Sequence, residues 1–120
     1  MAAELTILTG ADERDLTKLD EYRAIGGYEQ LEKARGMSPE QLIETISNAK
    51  LRGRGGAGFA MGTKAGFLPK GDMDKYLCCN ADESEPGTFK DRELMQKNPH
   101  QLIEGIIIAA RAAGANRCFI

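Results

Sequence analysis

The chain has 120 residues, of which 42% are apolar and 28% are charged, and this balance indicates one folded domain rather than a disordered or fibrous chain. Its formal net charge of -2 argues against a dedicated nucleic-acid-binding domain, which would be basic overall. The longest strictly apolar run, residues 106–110, is far shorter than the roughly 20 residues of a membrane span, and the acidic first residues do not resemble a secretory or transit peptide.

Residues 1–50 are predicted to form a lead-in of loop and helices. We expect a loop over 1–18 and one or two short helices over 19–35, interrupted at the glycine pair 26–27. Ser38-Pro39-Glu40-Gln41 has the pattern of a helix start, with a capping serine, proline at the first helical position and a glutamine that completes a capping box. An apolar face follows, and the helix is expected to end near Lys50.

Residues 72–120 predict a strand, two helices and a second strand. Lys75–Cys79 is a short apolar run typical of a buried strand, and Glu85-Pro86-Gly87 is a turn. Thr88 is expected to cap a helix that runs to about Lys97. A longer helix then begins at Asn98-Pro99 and ends at Gly114, and residues 117–120 begin the second strand. Its predicted apolar face consists of Leu102, Ile103, Ile106, Ile107 and Ala110.

A strand, helix, strand order predicts a right-handed crossover and a parallel sheet. The fold class is therefore α/β, with an incomplete parallel sheet and flanking helices, because two strands do not complete such a sheet. The apolar faces of 42–49 and 102–110 are expected to pack on it. The similar stretches 38–44 and 98–104 are interpreted as two helices with the same capping chemistry, which is favoured over an internal repeat.

The three cysteines, Cys78, Cys79 and Cys118, are odd in number and form no C-x-x-C pair. Neither a disulfide framework nor a self-contained zinc or iron–sulfur site is expected. Cys78 and Cys79 are interpreted as small buried apolar side chains. Free thiols suit a reducing compartment, such as the cytosol or an organelle matrix.

A glycine-rich, purely cationic segment occupies residues 51–71. It holds half of the chain's 14 glycines and no acid. Gly53, Gly55 and Gly58 have the spacing G-x-G-x-x-G, but a helix rather than a strand precedes them, so the usual dinucleotide-binding context is not met. The glycines would still let backbone N–H groups approach a phosphate, which Arg52, Arg54 and Lys64 could neutralise. The alternatives are a solvated surface loop and, less favoured, an RNA-binding Arg–Gly tract.

An acidic turn follows the first predicted strand, where parallel sheets bind ligands. Asn80, Asp82 and Glu85 offer hydrogen-bond acceptors that suit ribityl or ribose hydroxyls and a heterocyclic N–H. A magnesium or calcium site that includes Glu83, and a solvated turn that favours the next helix, are the alternatives.

Three rings lie near these segments. Phe59 and Phe67 flank the cationic segment and could be core residues or could stack on a base. His100 has no nearby nucleophile in the sequence and is interpreted as a surface residue.

The segments LRGRGGAGF with GTK, CNADESEPGTFKDR and PHQLIEGIIIAARAAGA closely resemble the NADH-oxidising flavoprotein subunits of respiratory complex I. They are also similar to the diaphorase subunits of NAD-linked hydrogenases and formate dehydrogenases. The resemblance is clear from residue 51 to 120. Ala60, Met61 and Ala65 stand where the complex I motif usually has proline, threonine and tryptophan, so the choice between complex I and a diaphorase stays open.

The resemblance implies site residues for FMN and NADH. Gly53, Arg54, Gly55 and Gly58 would line the FMN phosphate and ribityl region, with Lys64 close to FMN and to NADH. Asn80 and Asp82 would bond the ribityl chain and isoalloxazine. Glu85 would face the nicotinamide-ribose end of NADH, and Phe59 and Phe67 would enclose its adenine. No side chain of this chain is expected to be a general base or a metal ligand.

The resemblance also implies a larger enzyme, in which FMN takes a hydride from NADH and electrons pass through iron–sulfur clusters towards quinone. Residues 51–120 would begin the FMN/NADH-binding domain, with an incomplete Rossmann-like parallel sheet, and the 4Fe-4S motif would follow residue 120, so the chain alone would be inactive. Peripheral-arm subunits of complex I, including an iron–sulfur subunit, would be partners, without nucleic acid or direct membrane insertion. The site would lie on the cytoplasmic face of a bacterial inner membrane or the mitochondrial matrix side. A non-redox nucleotide-binding module and a plain scaffold are the competing functions.

Overall fold

A computed structural model describes residues 7–120, which form six helices and two strands. The part of the expected leading loop at 1–6 lies outside the described residues, and 7–18 form turns. No helix in the described range is long and apolar enough to cross a membrane. The elements in chain order are α1 (Leu19–Ala24), α2 (Glu29–Arg35), α3 (Pro39–Asn48), α4 (Met61–Gly66), β1 (Tyr76–Cys78), α5 (Lys90–Lys97), α6 (Pro99–Ala113) and β2 (Arg117–Phe119).

The predicted starts of the two longest helices are confirmed. Ser38 Oγ accepts from the Gln41 backbone N–H at 3.2 Å, and Gln41 Oε1 accepts from the Ser38 N–H at 2.8 Å. Asn98 Oδ1 accepts from the Gln101 N–H at 3.3 Å at the start of α6. The similar stretches therefore share capping chemistry. Gly114 ends α6 with φ +66°, as predicted.

The sheet consists of β1 and β2, which pair in parallel with Leu77 opposite Cys118. The ladder continues from the Cys79 N–H to the Phe119 carbonyl oxygen at 2.8 Å. Helices α5 and α6 form the connection between the strands, and α6 contacts both of them. The predicted α/β class with an incomplete parallel sheet is confirmed.

The prediction that β1 is buried is wrong. Tyr76 is 53% exposed, Cys78 and Cys118 are exposed, and Cys79 is half-buried, so Cys78 and Cys79 are not buried apolar side chains. The described sheet has two strands, and each of them is an edge strand. All three thiols are free.

The predicted packing of α3 on the sheet is also wrong, because α3 packs against α4 and α6. Ala34, Leu42 and Ala112 form the core cluster, with Met37, Ile43, Ile46 and Ile108 packed around it. The predicted apolar face of α6 is only partly right. Ala110 is buried, but Ile103 and Ile107 are each 42% exposed, whereas the core-facing side carries Ile108 and Ala112.

Helix α6 holds α2 at both ends through two charged side chains. Glu104 is buried, and its carboxylate accepts from the backbone N–H groups of Tyr28 and Leu31, both at 3.0 Å. Arg111 donates to the Ala34 and Arg35 carbonyl oxygens, both at 2.9 Å. The carboxylate lies at the positive end of α2 and the guanidinium at its negative end, which favours both charges.

His100 belongs to a cluster of rings beside Glu104 and is half-buried, so its interpretation as a surface residue is wrong. Its Nδ1 lies 2.8 Å from Tyr28 Oη, and its ring stacks on Tyr22 with centroids 5.6 Å apart. Tyr22 Oη donates to Glu104 at 2.6 Å. Burial, and then this hydrogen bond, raise the pKa of Tyr22, and burial together with the Glu104 charge raises the pKa of Tyr28.

Candidate functional site

The glycine-rich segment folds as a small hairpin between α3 and α4. The Gly53 N–H donates to the Phe59 carbonyl oxygen at 2.8 Å, and the Met61 N–H donates to the Leu51 carbonyl oxygen at 2.9 Å. Arg52 Nη1 also reaches the Gly58 carbonyl oxygen at 3.4 Å. Residues 54–58 are therefore the tip of a closed loop, which we call the glycine tip.

The glycine tip has open space and unused donors. Gly56 and Gly58 have φ values of +99° and +61°, a conformation that glycine adopts without strain. Among residues 7–120, no group accepts a hydrogen bond from the backbone N–H of any residue at 54–58. A Cβ at Gly55 or Gly56 would meet no atom within 4 Å. An anion could therefore reach these N–H groups, with the exposed Arg54 beside them.

Lys64 lies on α4, directly after the hairpin, and is exposed. The position of α4 depends on Gly62, which is buried against α3. A Cβ on Gly62 would overlap the Ser47 side chain and lie 2.8 Å from the Ser47 Cα. The glycine thus permits the close contact of α4 with α3 that sets where Lys64 stands.

The acidic turn after β1 has a defined internal structure. Asn80 Oδ1 accepts from the Asp82 backbone N–H at 3.0 Å, and Ser84 Oγ donates to Asp82 Oδ2 at 2.7 Å. The Glu85 carbonyl oxygen accepts from the Thr88 N–H at 3.2 Å and closes the predicted turn at 85–87. Asp82 and Glu85 keep exposed carboxylates that can accept hydrogen bonds from a ligand.

Glu83 takes the role that the sequence pattern predicted for Thr88. Its Oε1 accepts from the Asp91 N–H at 2.6 Å and its Oε2 from the Arg92 N–H at 3.1 Å, at the start of α5. The residue at the cap position, Phe89, makes no side-chain cap. The prediction of Thr88 as the cap is therefore wrong, because a carboxylate from outside the helix occupies its first N–H groups. Among the described residues, no three acidic, histidine or cysteine side chains group as a metal site.

Phe59 and Phe67 are brought together, with ring centroids 6.3 Å apart and planes inclined by 51°. They are 50% and 72% exposed, which contradicts the alternative that they are core residues. Their role around an adenine stays a prediction, and the inclined rings would have to separate and align to enclose one.

The cationic and acidic parts of the site are not joined directly. In the range 7–120, no hydrogen bond or ion pair links Arg54 or Lys64 to Asp82 or Glu85. The donors of the glycine tip suit a phosphate, and the acceptors of the acidic turn suit hydroxyl and N–H groups. Together these donors and acceptors fit FMN, which carries a phosphate, hydroxyl groups and a ring N–H. Sequence reasoning missed Gly62 and the cap of Glu83, for which the local sequence holds no signal.

Comparison with known proteins identifies the family. The family model described as the Nuo51 FMN-binding domain matches residues 46–120. The chain is 51% identical over 114 residues to an NADH-quinone oxidoreductase subunit of Aquifex aeolicus, covering 95% of this chain and 27% of that protein. It is 48% identical over 112 residues to the subunit of the same name in Escherichia coli, covering 91% and 25%. The chain thus spans about a quarter of the length of these relatives.

A solved structure agrees in fold. The NAD+-reducing [NiFe]-hydrogenase in its H2-reduced state superposes with a TM-score of 0.70 and 37% sequence identity, over 96% of this chain and 18% of that chain. The resemblance noted in the sequence is therefore confirmed, and the matched range includes the glycine tip, α4 and the acidic turn. The chain belongs to the family of Nuo51 FMN-binding domains.

Proposed function

We propose that the chain supplies the amino-terminal part of the FMN- and NADH-binding domain of a flavoprotein subunit of an NADH dehydrogenase that reduces quinone. The observation that carries this proposal is the glycine tip, whose free N–H groups and open space suit a phosphate, in a chain of this family. Residues 51–120 would begin that domain, after the helical lead-in of residues 1–50.

The glycine tip and α4 would hold the anionic end of the flavin. Gly53, Gly55 and Gly58 let the backbone approach the phosphate, and Arg54 and Lys64 supply positive charge. The free N–H groups at 54–58 are donors that water satisfies in the absence of an anion. Hydrogen bonds to an ionised group are about twice as strong as neutral ones, so both the backbone N–H groups and the two cations would contribute to the affinity for a phosphate.

The acidic turn would orient the flavin ring and the nicotinamide. Asn80 and Asp82 would bond the ribityl chain and the isoalloxazine, Glu85 the nicotinamide-ribose end of NADH, and Phe59 and Phe67 its adenine. FMN, when bound, supplies the chemistry by accepting a hydride and releasing electrons one at a time. The side chains of this chain bind and orient the two molecules, and none needs to act as a general base.

A diaphorase subunit is the second candidate. The structural match to the NAD+-reducing [NiFe]-hydrogenase supports it. Both candidates share the FMN and NADH sites and differ in the electron acceptor. Purification of the native assembly would separate them, since a complex I subunit should copurify with an iron–sulfur subunit and transfer electrons to quinone, and a diaphorase should copurify with a hydrogenase or formate dehydrogenase.

Location and partners follow from the first candidate. We propose a peripheral subunit bound to other peripheral-arm subunits, on the cytoplasmic face of a bacterial inner membrane. The 120-residue chain by itself should be inactive and prone to aggregate, because β1 and β2 leave unpaired edges and Tyr76 and Phe119 exposed. A sharp cooperative melt of the isolated chain would contradict this expectation.

The test uses Asp82→Ala and Glu85→Gln in the full-length protein. Asp82→Ala removes an acceptor, so we expect less bound flavin per protein. Glu85→Gln keeps the shape and removes the charge, so flavin should stay while the KM for NADH changes. Flavin absorbance and NADH–ferricyanide turnover are the measurements.

Glu13→Gln, which alters an exposed acid in the leading turns, is the matched control and should behave as wild type. If the turn only stabilises the start of α5, both variants would cost about 0.3–1 kcal/mol of stability. Flavin content and turnover per folded molecule would then equal those of wild type, and the proposed role of the turn would be rejected.

A further inference from the structure

Glu83 differs from every other acid of the acidic turn. Its side chain is only 12% exposed, whereas Asp82 and Glu85 are exposed on either side of it. Its two carboxylate oxygens are both occupied by backbone N–H groups of α5. In addition, Lys90 Nζ lies 3.9 Å from Glu83 Oε1. A carboxylate used in this way has little capacity left for a ligand.

The contact joins the acidic turn, which lies outside any helix or strand, to the start of α5. The turn between β1 and α5 is irregular, while α5 and α6 follow one another and pack together. Glu83 is eight residues from Asp91 in the chain, and within residues 7–120 it makes the only side-chain hydrogen bonds from the acidic turn to α5. Glu83 thereby ties the segment that carries Asp82 and Glu85 to the start of α5.

We propose that Glu83 is a positioning residue, which fixes Asp82 and Glu85 at the distance and direction that the flavin and NADH require, without touching either molecule. The inference rests on the proposed function. Its physical basis is that binding groups on an irregular segment hold their geometry only when a supporting hydrogen bond fixes them. Loss of the Glu83 carboxylate would free the turn and misplace both acceptors together.

The test compares Glu83→Ala with the double variant Glu83→Ala/Phe89→Asp in the full-length protein. Asp at position 89 can accept from the Arg92 N–H and so restores a local cap for α5 without tying down the acidic turn. We expect Glu83→Ala to weaken FMN affinity about tenfold, since a misplaced Asp82 loses the charged hydrogen bond that it would make to the flavin. The double variant should recover thermal stability and keep the weak FMN affinity.

Hydrogen exchange in the flavin-free protein supplies a readout that does not depend on activity. Glu83→Ala should speed exchange at the Asp91 and Arg92 amides, and the added cap should slow it again at Arg92. Phe89→Asp alone is the control for the new side chain and should bind FMN as wild type does.

Three results would overturn the inference. FMN affinity equal to wild type in Glu83→Ala would show that the turn needs no anchor. Recovery of affinity in the double variant would make Glu83 a helix cap only, and weaker affinity without faster amide exchange would make it a direct ligand contact. A wild-type protein that binds no FMN would instead reject the proposed function itself.

Discussion

The contact between α2 and α6 and the segment from the glycine tip to the acidic turn use charge in opposite ways. Glu104 and Arg111 are satisfied by backbone groups of α2 and its flanks. Arg54, Lys64 and Glu85 are exposed, and their side chains have no hydrogen bond or ion pair among the residues that the structure describes. Charged groups whose hydrogen-bonding capacity is already used support the fold, and those that keep it unused can bind a ligand.

Glu104→Ala should have the largest effect and tests the first half of that comparison. The change leaves the buried Tyr22 hydroxyl and the part-buried Tyr28 and Leu31 N–H groups without an acceptor, and a buried unpaired group costs about 1–3 kcal/mol. We expect the free energy of local unfolding of α2, measured by amide hydrogen exchange, to fall by about 2–4 kcal/mol. Glu44→Ala, at an exposed position of α3, is the control. A loss below about 1 kcal/mol would mean that solvent replaces Glu104.

Gly62→Ala should follow in size. The added methyl group meets Ser47, so α4 must move away from α3, and such overpacking costs about 1–3 kcal/mol. Because α4 carries Lys64, FMN affinity should fall as well. Ser47→Gly in the same chain removes the side chain that the methyl meets, so it should restore part of both losses. If the double variant recovers neither stability nor FMN affinity, the steric overlap with the Ser47 side chain is not the cause of the losses.

Lys64→Ala tests the second half of the comparison. An exposed lysine without a protein partner contributes little to folding, so stability should change by no more than about 0.5 kcal/mol. Binding of FMN or NADH should weaken by about 1–3 kcal/mol, measured by titration, because a charged hydrogen bond is lost. Lys50→Ala, at an exposed position before the hairpin, serves as the control. Unchanged affinity for both ligands would show that Lys64 is only solvated.

The smallest effect is expected in the pH dependence of stability. Burial and the bond to Glu104 raise the pKa of Tyr22 above its ordinary value near 10, so the folded state favours the neutral phenol. This contribution is complete below pH 10 and is lost as the pH rises above it, since the unfolded chain ionises first. Tyr22→Phe should cost about 1 kcal/mol at neutral pH and flatten the alkaline limb. Urea denaturation at about pH 8 and about pH 11 measures both. If the free energy of unfolding falls equally between these pH values in wild type and Tyr22→Phe, ionisation of Tyr22 is not the cause of the fall.

Local patterns predicted every described element except α4, which lies in the glycine-rich segment, because the causes of the others lie within a few residues. The caps of Ser38 and Asn98, the stop at Gly114 and both strands follow from neighbouring side chains. The errors arose where a distant group decides. Thr88 does not cap α5 because Glu83 already serves its first N–H groups, and His100 is half-buried because Tyr22 and Tyr28 pack on it.

For the candidate site, local patterns likewise predicted the kinds of chemical group present. The glycine spacing and the order of acids in the turn predicted donors for a phosphate and acceptors for hydroxyls. The structure leaves the N–H groups at 54–58 without an acceptor among residues 7–120 and the carboxylates of Asp82 and Glu85 exposed, and their roles towards a ligand stay predictions. The exposure of β1 was not predictable, because an apolar run encodes a preference for burial and does not encode what covers it. The close contact of Gly62 with Ser47 depends on how α4 packs against α3, and the sequence of neither helix alone predicts that packing.

Because α6 bonds both ends of α2, through Glu104 and Arg111, the length of α2 is constrained. Glu104 and Arg111 are seven residues apart and therefore about 10.5 Å apart along α6, which equals the length of the seven-residue α2 at about 1.5 Å per residue. An insertion within α2 would lengthen it by about 1.5 Å and turn its end by about 100°, away from Arg111. Insertions and deletions in related proteins should therefore fall outside the stretch from Tyr28 to Met37, whose ends Glu104 and Arg111 hold.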